Sequence, residues 1–147
     1  MSTSSLPPVT PALMPTYARQ PVAFVRGEGV WLWDTDGKRY LDTTAGIAVC
    51  GLGHANPVVA AAIADQAATL VHTSNLYRVP LQEELADLLC QVSGMTHAFF
   101  GNSGAEANEA AIKLARLHGH KKGIAVPTVI VMENSFHGRT MATLTAT

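Results

Sequence analysis

Two short motifs hold the groups of this sequence that are best suited to bind a charged ligand. In the first, Ser103 is followed three residues later by Glu106, the spacing of a capping box at a helix start. The N–H groups of Gly104 and Ala105 would then lie at the positive end of the helix dipole, which favours phosphate or another anion. A well-capped structural helix has the same pattern, so this motif alone leaves both interpretations open.

The second motif, Ser135–Arg139, combines an aromatic ring, an imidazole and a guanidinium within five residues. Arg139 could hold a carboxylate through two parallel hydrogen bonds, although a lone loop arginine is often only solvated. Phe136 offers a flat apolar face to a ligand ring, but without further evidence core packing explains it more simply. His137 could exchange a proton near neutral pH, and a structural hydrogen bond beside the ring suits it better.

A strand–helix–strand unit is predicted to position both motifs. Ala98–Phe100 and the β-branched run Thr128–Met132 have the composition of strands, the second that of a buried parallel strand. Between them, a helix with a stripe of alanines begins at Ser103, runs to about Leu117 and is expected to stop at Gly119. Because parallel strands end at a common sheet edge, the two motifs are expected to form one site there.

The preceding residues are predicted to form a small antiparallel sheet and then two helices. Asp36–Gly37 is a strong hairpin signal, and Trp31 and Trp33 alternate onto one packing face. The predicted strands are Val22–Val25, Val30–Trp33 and Arg39–Leu41. A glycine-rich loop, Thr43–His54, follows. The first helix starts at Asn56–Pro57, and its predicted buried face consists of Val59, Ile63, Ala67 and Leu70. The second helix starts at Pro80 and ends at Ser93–Gly94.

Composition excludes several classes of protein. The 147 residues are 48% hydrophobic and 14% charged, as in a folded globular chain, and the net charge of −1 gives no basic surface for nucleic acid or membranes. No apolar run is long enough to span a bilayer. Cys50 and Cys90 predict free thiols in a reducing compartment, hence a cytoplasmic protein. His118 and His120 do not share a helix face, so no metal site is predicted.

The two motifs together resemble the class III aminotransferases, in particular the acetylornithine branch. The resemblance lies in Asn102–Arg116 and Ser135–Thr140, with Gly46–Val49 and Gly51–His54 upstream. It implies an α/β chain of fold type I of the enzymes that depend on pyridoxal 5'-phosphate (PLP). The expected parts are a flexible arm (1–16), the antiparallel strands with the glycine loop (17–55), and the start of the large parallel-sheet domain (56–147).

The resemblance also implies roles for individual residues. Ser103, Gly104 and Ala105 would hold the PLP phosphate, Phe136 and His137 would lie at its ring, and Arg139 would bind the carboxylate of the amino acid. The implied reaction moves an amino group from N2-acetylornithine to 2-oxoglutarate in a homodimer. Ornithine, succinylornithine or 4-aminobutyrate could replace this donor. A phosphate-binding or dimerisation fragment without catalysis is the alternative of another class.

The family's Schiff-base lysine has no counterpart here. The lysines are Lys38, Lys113, Lys121 and Lys122. Lys113 lies ten residues beyond Ser103, about 15 Å along the helix, too far from the phosphate for the PLP aldehyde. The chain is therefore predicted to be the N-terminal part of a longer enzyme, inactive alone and without a catalytic residue of its own. The sequence assigns no role to Ile47, Cys50, Tyr77 or Arg78.

Overall fold

The structure is a computed structural model that describes residues 12–147. The chain divides into two compact units, with the division between His72 and Thr73. The predicted arm, 1–16, lies for its first eleven residues outside the described part of the chain. Among residues 12–147, none of the helices combines the length and the apolar composition that a bilayer crossing requires.

The first unit contains a three-stranded antiparallel sheet in the order β1-β2-β3. Its strands are β1 (Phe24–Glu28), β2 (Trp31–Asp34) and β3 (Arg39–Leu41). The three predicted strands are thus confirmed, with the first displaced toward the hairpin and irregular between Phe24 and Arg26. The two tryptophans do share a face. The guanidinium carbon of Arg26 lies 3.8 Å from the Trp33 ring centre, and the guanidinium carbon of Arg39 lies 4.3 Å from the Trp31 ring centre.

The β2–β3 turn is closed by a buried carboxylate. Asp34 Oδ1 accepts hydrogen bonds from the N–H groups of Asp36 and Lys38, and Oδ2 accepts one from the Tyr40 hydroxyl at 2.8 Å. Gly37 has a φ of 77°, which confirms the predicted Asp-Gly turn. Burial raises the pKa of Asp34. The hydrogen bonds from Tyr40 and the two amides together lower the pKa by more than burial raises it, so the net pKa lies below its ordinary value.

A strained turn, α1 (Ala45–Ala48), occupies the predicted glycine loop. All four residues have a positive φ, 48°, 63°, 61° and 62° in chain order. Ile47 is the outlier, because a β-branched residue rarely adopts this conformation and its side chain is 87% exposed. Strain of this kind persists only where surrounding contacts enforce it.

Asp42 and His54 supply those contacts. Asp42 Oδ1 accepts hydrogen bonds from the N–H groups of Thr44 and Ala45, at 3.1 and 2.8 Å, and Oδ2 lies 2.6 Å from His54 Nε2. His54 in turn exchanges two backbone hydrogen bonds with Gly29. It also packs on Gly27, where a Cβ atom would lie 2.6 Å from the His54 Cβ. The turn is thereby tied to the β1–β2 hairpin.

Replacing Asp42 by asparagine is expected to lower stability and to flatten its dependence on acid pH. The His54 hydrogen bond, helped by the Ala45 amide, holds the pKa of Asp42 below its ordinary value of 3.8. A carboxylate with a lowered folded-state pKa stabilises the fold above pH 3.8, and the contribution is lost as pH falls through the lowered value. Urea unfolding between pH 2 and 6 measures this difference. Asp65→Asn, at an exposed position of the following helix, is the control, and identical acid profiles for both variants would contradict the assignment.

The helix that follows, α2 (Pro57–Thr69), begins where the sequence predicts. The Asn56 side chain accepts hydrogen bonds from the N–H groups of Val58 and Val59. Its predicted buried face is wrong for the described residues, because Ile63 is 64% and Leu70 47% exposed. Apolar spacing defines which helix face can be buried, whereas burial itself requires a partner element.

The second unit contains α3 (Pro80–Ser93), α4 (Gly104–Lys121) and α5 (Met141–Leu144). Helix α3 ends at Gly94 with a φ of 71°, as predicted. The predicted stop of α4 at Gly119 is wrong, because the helix continues to Lys121. Gly119 is buried, and a Cβ atom there would lie 2.7 Å from Pro127, so this glycine permits close packing.

The predicted strands Ala98–Phe100 and Thr128–Met132 are not paired in the described residues. Neither segment belongs to a sheet, and Phe99 and Ile130 are 69% and 92% exposed. A parallel strand requires a hydrogen-bonded neighbour and cover on both faces, and residues 12–147 provide neither at these positions. Within residues 12–147 the two motifs are therefore not brought together by the ends of two paired parallel strands, as the sequence predicts.

Candidate active site

Two backbone N–H groups at the start of helix α4 have no acceptor in the described part of the chain. Ser103 is extended, and its hydroxyl accepts a hydrogen bond from the N–H of Glu106 at 3.2 Å, which confirms half of the predicted capping box. The other half differs, because the Glu106 carboxylate accepts from the N–H of Asn102. Among residues 12–147, no acceptor binds the N–H groups of Gly104 and Ala105.

The two glycines of this turn have different roles. A Cβ atom on Gly101 would lie 3.3 Å from the Glu106 Cβ, so the missing side chain lets Glu106 fold back over the turn. A Cβ atom on Gly104 would meet no protein atom within 4 Å. The side of Gly104 on which a Cβ would lie is therefore free of protein atoms, and the adjacent N–H groups lie at the positive end of the helix dipole, where an anion is favoured.

The loop of the second motif exposes an aromatic ring and a guanidinium. Phe136 is 70% exposed, and the Arg139 guanidinium carbon lies 6.0 Å from its ring centre. His137 Nδ1 lies 3.5 Å from the Ser135 hydroxyl, whose proton is directed to the carbonyl of Met132 at 2.6 Å. The ring face and the cation are thus neighbours, while the imidazole is partly covered.

The structure brings the loop onto the first two turns of α4. Gly138 is buried with a φ of 130°, and a Cβ atom there would lie 2.8 Å from the Ala105 Cβ. The Asn108 amide donates to the carbonyl of His137 at 2.8 Å, and the Thr140 hydroxyl donates to the Glu109 carboxylate. The segments 103–105 and 136–139, which contain the predicted site residues, therefore lie side by side, with Ala105 against Gly138.

The sequence assigned no role at the site to the residues that make these contacts, although most of them lie within the two motifs. They are Asn108, Glu109, Gly138, Thr140 and the fully buried Thr143, which forms a capping box with Thr140 at the start of α5. One signal was present: Asn108 and Glu109 follow Ala105 by three and four residues, so they share its helix face. Two polar residues, Asn108 and Glu109, on the same helix face as Ala105 indicate that this face contacts another polar segment.

Metal ligation has no candidate in this region. Within residues 12–147, no three His, Cys, Asp or Glu side chains lie close enough together to hold a metal ion. His118 and His120 lie in the last turn of α4, and His120 Nδ1 is 3.1 Å from the carbonyl of Ile124. A charged or hydrogen-bonding side chain at a helix carboxyl end stabilises that end.

Comparison with known proteins finds close relatives among the curated acetylornithine aminotransferases. Acetylornithine aminotransferase from Nitrosomonas europaea is 67% identical over 92% of the chain, and that from Gloeobacter violaceus is 60% identical over 92%. The chain spans about a third of the length of these relatives, 34% in both cases.

Solved structures match the fold. N-acetylornithine aminotransferase from Stenotrophomonas maltophilia K279a superposes on 82% of the chain with a TM-score of 0.76 and 41% identity, and the match covers 34% of that chain. Ornithine aminotransferase from Toxoplasma gondii ME49 superposes on 89% with a TM-score of 0.84 and 30% identity, covering 32% of its own length. These neighbours are PLP-dependent enzymes of fold type I, so the predicted fold class is confirmed.

The family assignment covers nearly the whole sequence. Residues 13–147 match the model of the family Aminotransferase class-III, a span that includes both α4 and the Phe136–Arg139 loop. The identities, the superposed fold and this match agree, and the chain belongs to the class-III aminotransferases.

Proposed function

We propose that the full-length protein is a PLP-dependent aminotransferase that transfers the amino group of N2-acetylornithine to 2-oxoglutarate, a step of arginine biosynthesis. The observation that supports this most is the contact between the start of α4 and the Phe136–Arg139 loop in a chain of this family. Relatives named acetylornithine aminotransferase, at 51–67% identity, favour this donor over ornithine, succinylornithine or 4-aminobutyrate.

The residues present fit the phosphate and ring of PLP. The N–H groups of Gly104 and Ala105 would bind the phosphate, with the Ser103 hydroxyl beside them, because these N–H groups have no acceptor within residues 12–147 and lie at the positive end of the α4 dipole. Phe136 would lie against the pyridine ring, and its exposed face is suited to stacking. His137 follows Phe136, and its backbone carbonyl is hydrogen-bonded to α4, so it would help to hold Phe136 against the pyridine ring.

Arg139 would bind the carboxylate of the amino acid. Its guanidinium is exposed beside Phe136, so a carboxylate held there would lie near the ring of the bound cofactor. Bound PLP supplies an electron sink that stabilises negative charge at the substrate carbon bearing the transferred amino group, which in N2-acetylornithine is C5 because N2 is acylated. The part of this chain is to orient that carbon through phosphate, ring and carboxylate contacts. We further propose that the enzyme acts as a cytoplasmic homodimer.

An assay of the full-length protein tests the substrate assignment. With PLP and 2-oxoglutarate, N2-acetylornithine is expected to give glutamate with a higher kcat/KM than ornithine, succinylornithine or 4-aminobutyrate. A preference for one of these other donors would leave the aminotransferase assignment intact and replace the donor. Absence of glutamate formation with all four donors would contradict the proposed function.

Borohydride reduction of the 147-residue chain with PLP separates catalysis from simple phosphate binding. No stoichiometric adduct at a single lysine is expected, because Lys113 lies nine residues beyond Gly104, about 14 Å along α4. Lys121 and Lys122 lie farther along the helix. Mass spectrometry of tryptic peptides measures the outcome. A single, stoichiometric adduct on one of these lysines would show that the chain carries its own reactive amine.

A further inference from the structure

Two neighbouring residues of α4 hold the backbone on either side of Arg139. Asn108 Nδ2 donates to the carbonyl of His137 at 2.8 Å, two residues before the arginine. The Glu109 carboxylate accepts from the hydroxyl of Thr140, one residue after it. These contacts link positions 29 and 31 residues apart in the sequence. Arg139 therefore lies in a segment that is fixed at both ends to one helix.

The same segment is also fixed by packing. Buried Gly138 rests on Ala105, and Thr143 accepts a hydrogen bond from the N–H of Thr140 at 3.0 Å. Asn108 lies four residues beyond Gly104, about 6 Å along the helix axis. Since a helix of 18 residues is rigid over one turn, the arginine backbone has a fixed distance from the open N–H groups of Gly104 and Ala105.

We propose that Asn108 and Glu109 are positioning residues that set the distance between the carboxylate-binding Arg139 and the phosphate-binding start of α4. This inference rests on the proposed function, which places substrate on that arginine. Neither residue touches substrate; each acts through the backbone of residues 137–140. An arginine side chain on a fixed backbone has fewer conformations to lose on binding, so the carboxylate is held more tightly and in one orientation.

A purely structural role predicts a different result from a positioning role. If the two residues only stabilised the fold, their loss would lower the unfolding temperature and the amount of active enzyme, and the KM of the remaining enzyme would not change. If they position Arg139, the KM for the amino donor at saturating PLP rises while kcat changes little, and the effect depends on the arginine.

A double-mutant cycle in the full-length enzyme tests this. At saturating PLP, Asn108→Ala is expected to raise the KM for the amino donor roughly 10-fold, and to have no further effect in an Arg139→Ala background. Glu109→Ala is expected to behave similarly, whereas Glu109→Gln, which keeps an oxygen acceptor for Thr140, is expected to restore most of the wild-type KM. Lys113→Ala, at an exposed position of the same helix, is the control for α4.

Two results would overturn the inference, and a third concerns the proposed function as well. An unchanged KM in both Asn108→Ala and Glu109→Ala would remove their positioning role. An equal rise of KM with and without Arg139 would show that Asn108 acts independently of the arginine. An Arg139→Ala enzyme with the wild-type KM would overturn both the role of that arginine in the proposed function and the inference built on it.

Discussion

Replacing Arg139 by alanine in the full-length enzyme is expected to raise the KM for the amino donor roughly 10- to 100-fold. A hydrogen-bonded pair between a guanidinium and a carboxylate contributes about 1.5–3 kcal/mol, and alanine removes it entirely. Arg139→Lys is expected to have an intermediate KM, because an ammonium keeps the charge and loses the two parallel hydrogen bonds. Steady-state kinetics and PLP absorbance measure the two properties separately.

The control for this substitution is Arg116→Ala, which removes an exposed arginine farther along α4. Its KM is expected to stay within about twofold of the wild-type value, since surface substitutions away from a site have small effects. PLP content is expected to be normal in all three variants. If Arg139→Ala lost PLP and kept its KM, the arginine would belong to the cofactor contacts.

Replacing Gly138 by alanine is expected to destabilise the protein by about 2–4 kcal/mol, because overpacking and an unfavourable backbone conformation both contribute. The new methyl group would lie 2.8 Å from both the Ala105 Cβ and the Thr143 hydroxyl, and φ is 130°. Relief of this clash moves the loop away from α4, so PLP affinity is also expected to fall. Urea unfolding and PLP titration measure the two effects.

Gly104→Ala is the matched control for the stability of that variant. Its methyl group meets no protein atom within 4 Å, and its φ is not in the left-handed region. Its free energy of unfolding is expected to change by less than about 0.5 kcal/mol. Equal stabilities of the Gly138 and Gly104 variants would show that the loop does not depend on close contact with Ala105.

Elements with local signals could be predicted from the sequence. Asn56, Pro80, Ser103 and Gly94 mark helix ends because capping depends on residues within one turn. The antiparallel hairpins also have local causes, such as the Asp34 and Gly37 turn. The family resemblance then added roles to Ser103–Ala105 and Phe136–Arg139 that the spacing of those residues alone leaves open.

Features that depend on distant contacts could not be predicted in this way. Glycine often ends a helix, but Gly119 lies inside α4, where the missing side chain allows Pro127 to pack closely. The run Thr128–Met132 has strand composition, but a strand forms only beside a partner. The left-handed α1 turn opposes the preference of Ile47 and depends on Asp42 and His54, twelve residues apart. The contacts of Asn108 and Glu109 with the loop span about thirty residues.

The start of α4 and the Phe136–Arg139 loop are expected to hold one cofactor together. A crystal structure of the full-length protein with PLP tests this arrangement. We expect phosphate oxygens within about 2.7–3.2 Å of the Gly104 and Ala105 nitrogens, with the pyridine ring against Phe136. A phosphate bound to other residues, or a ring that does not contact Phe136, would contradict it.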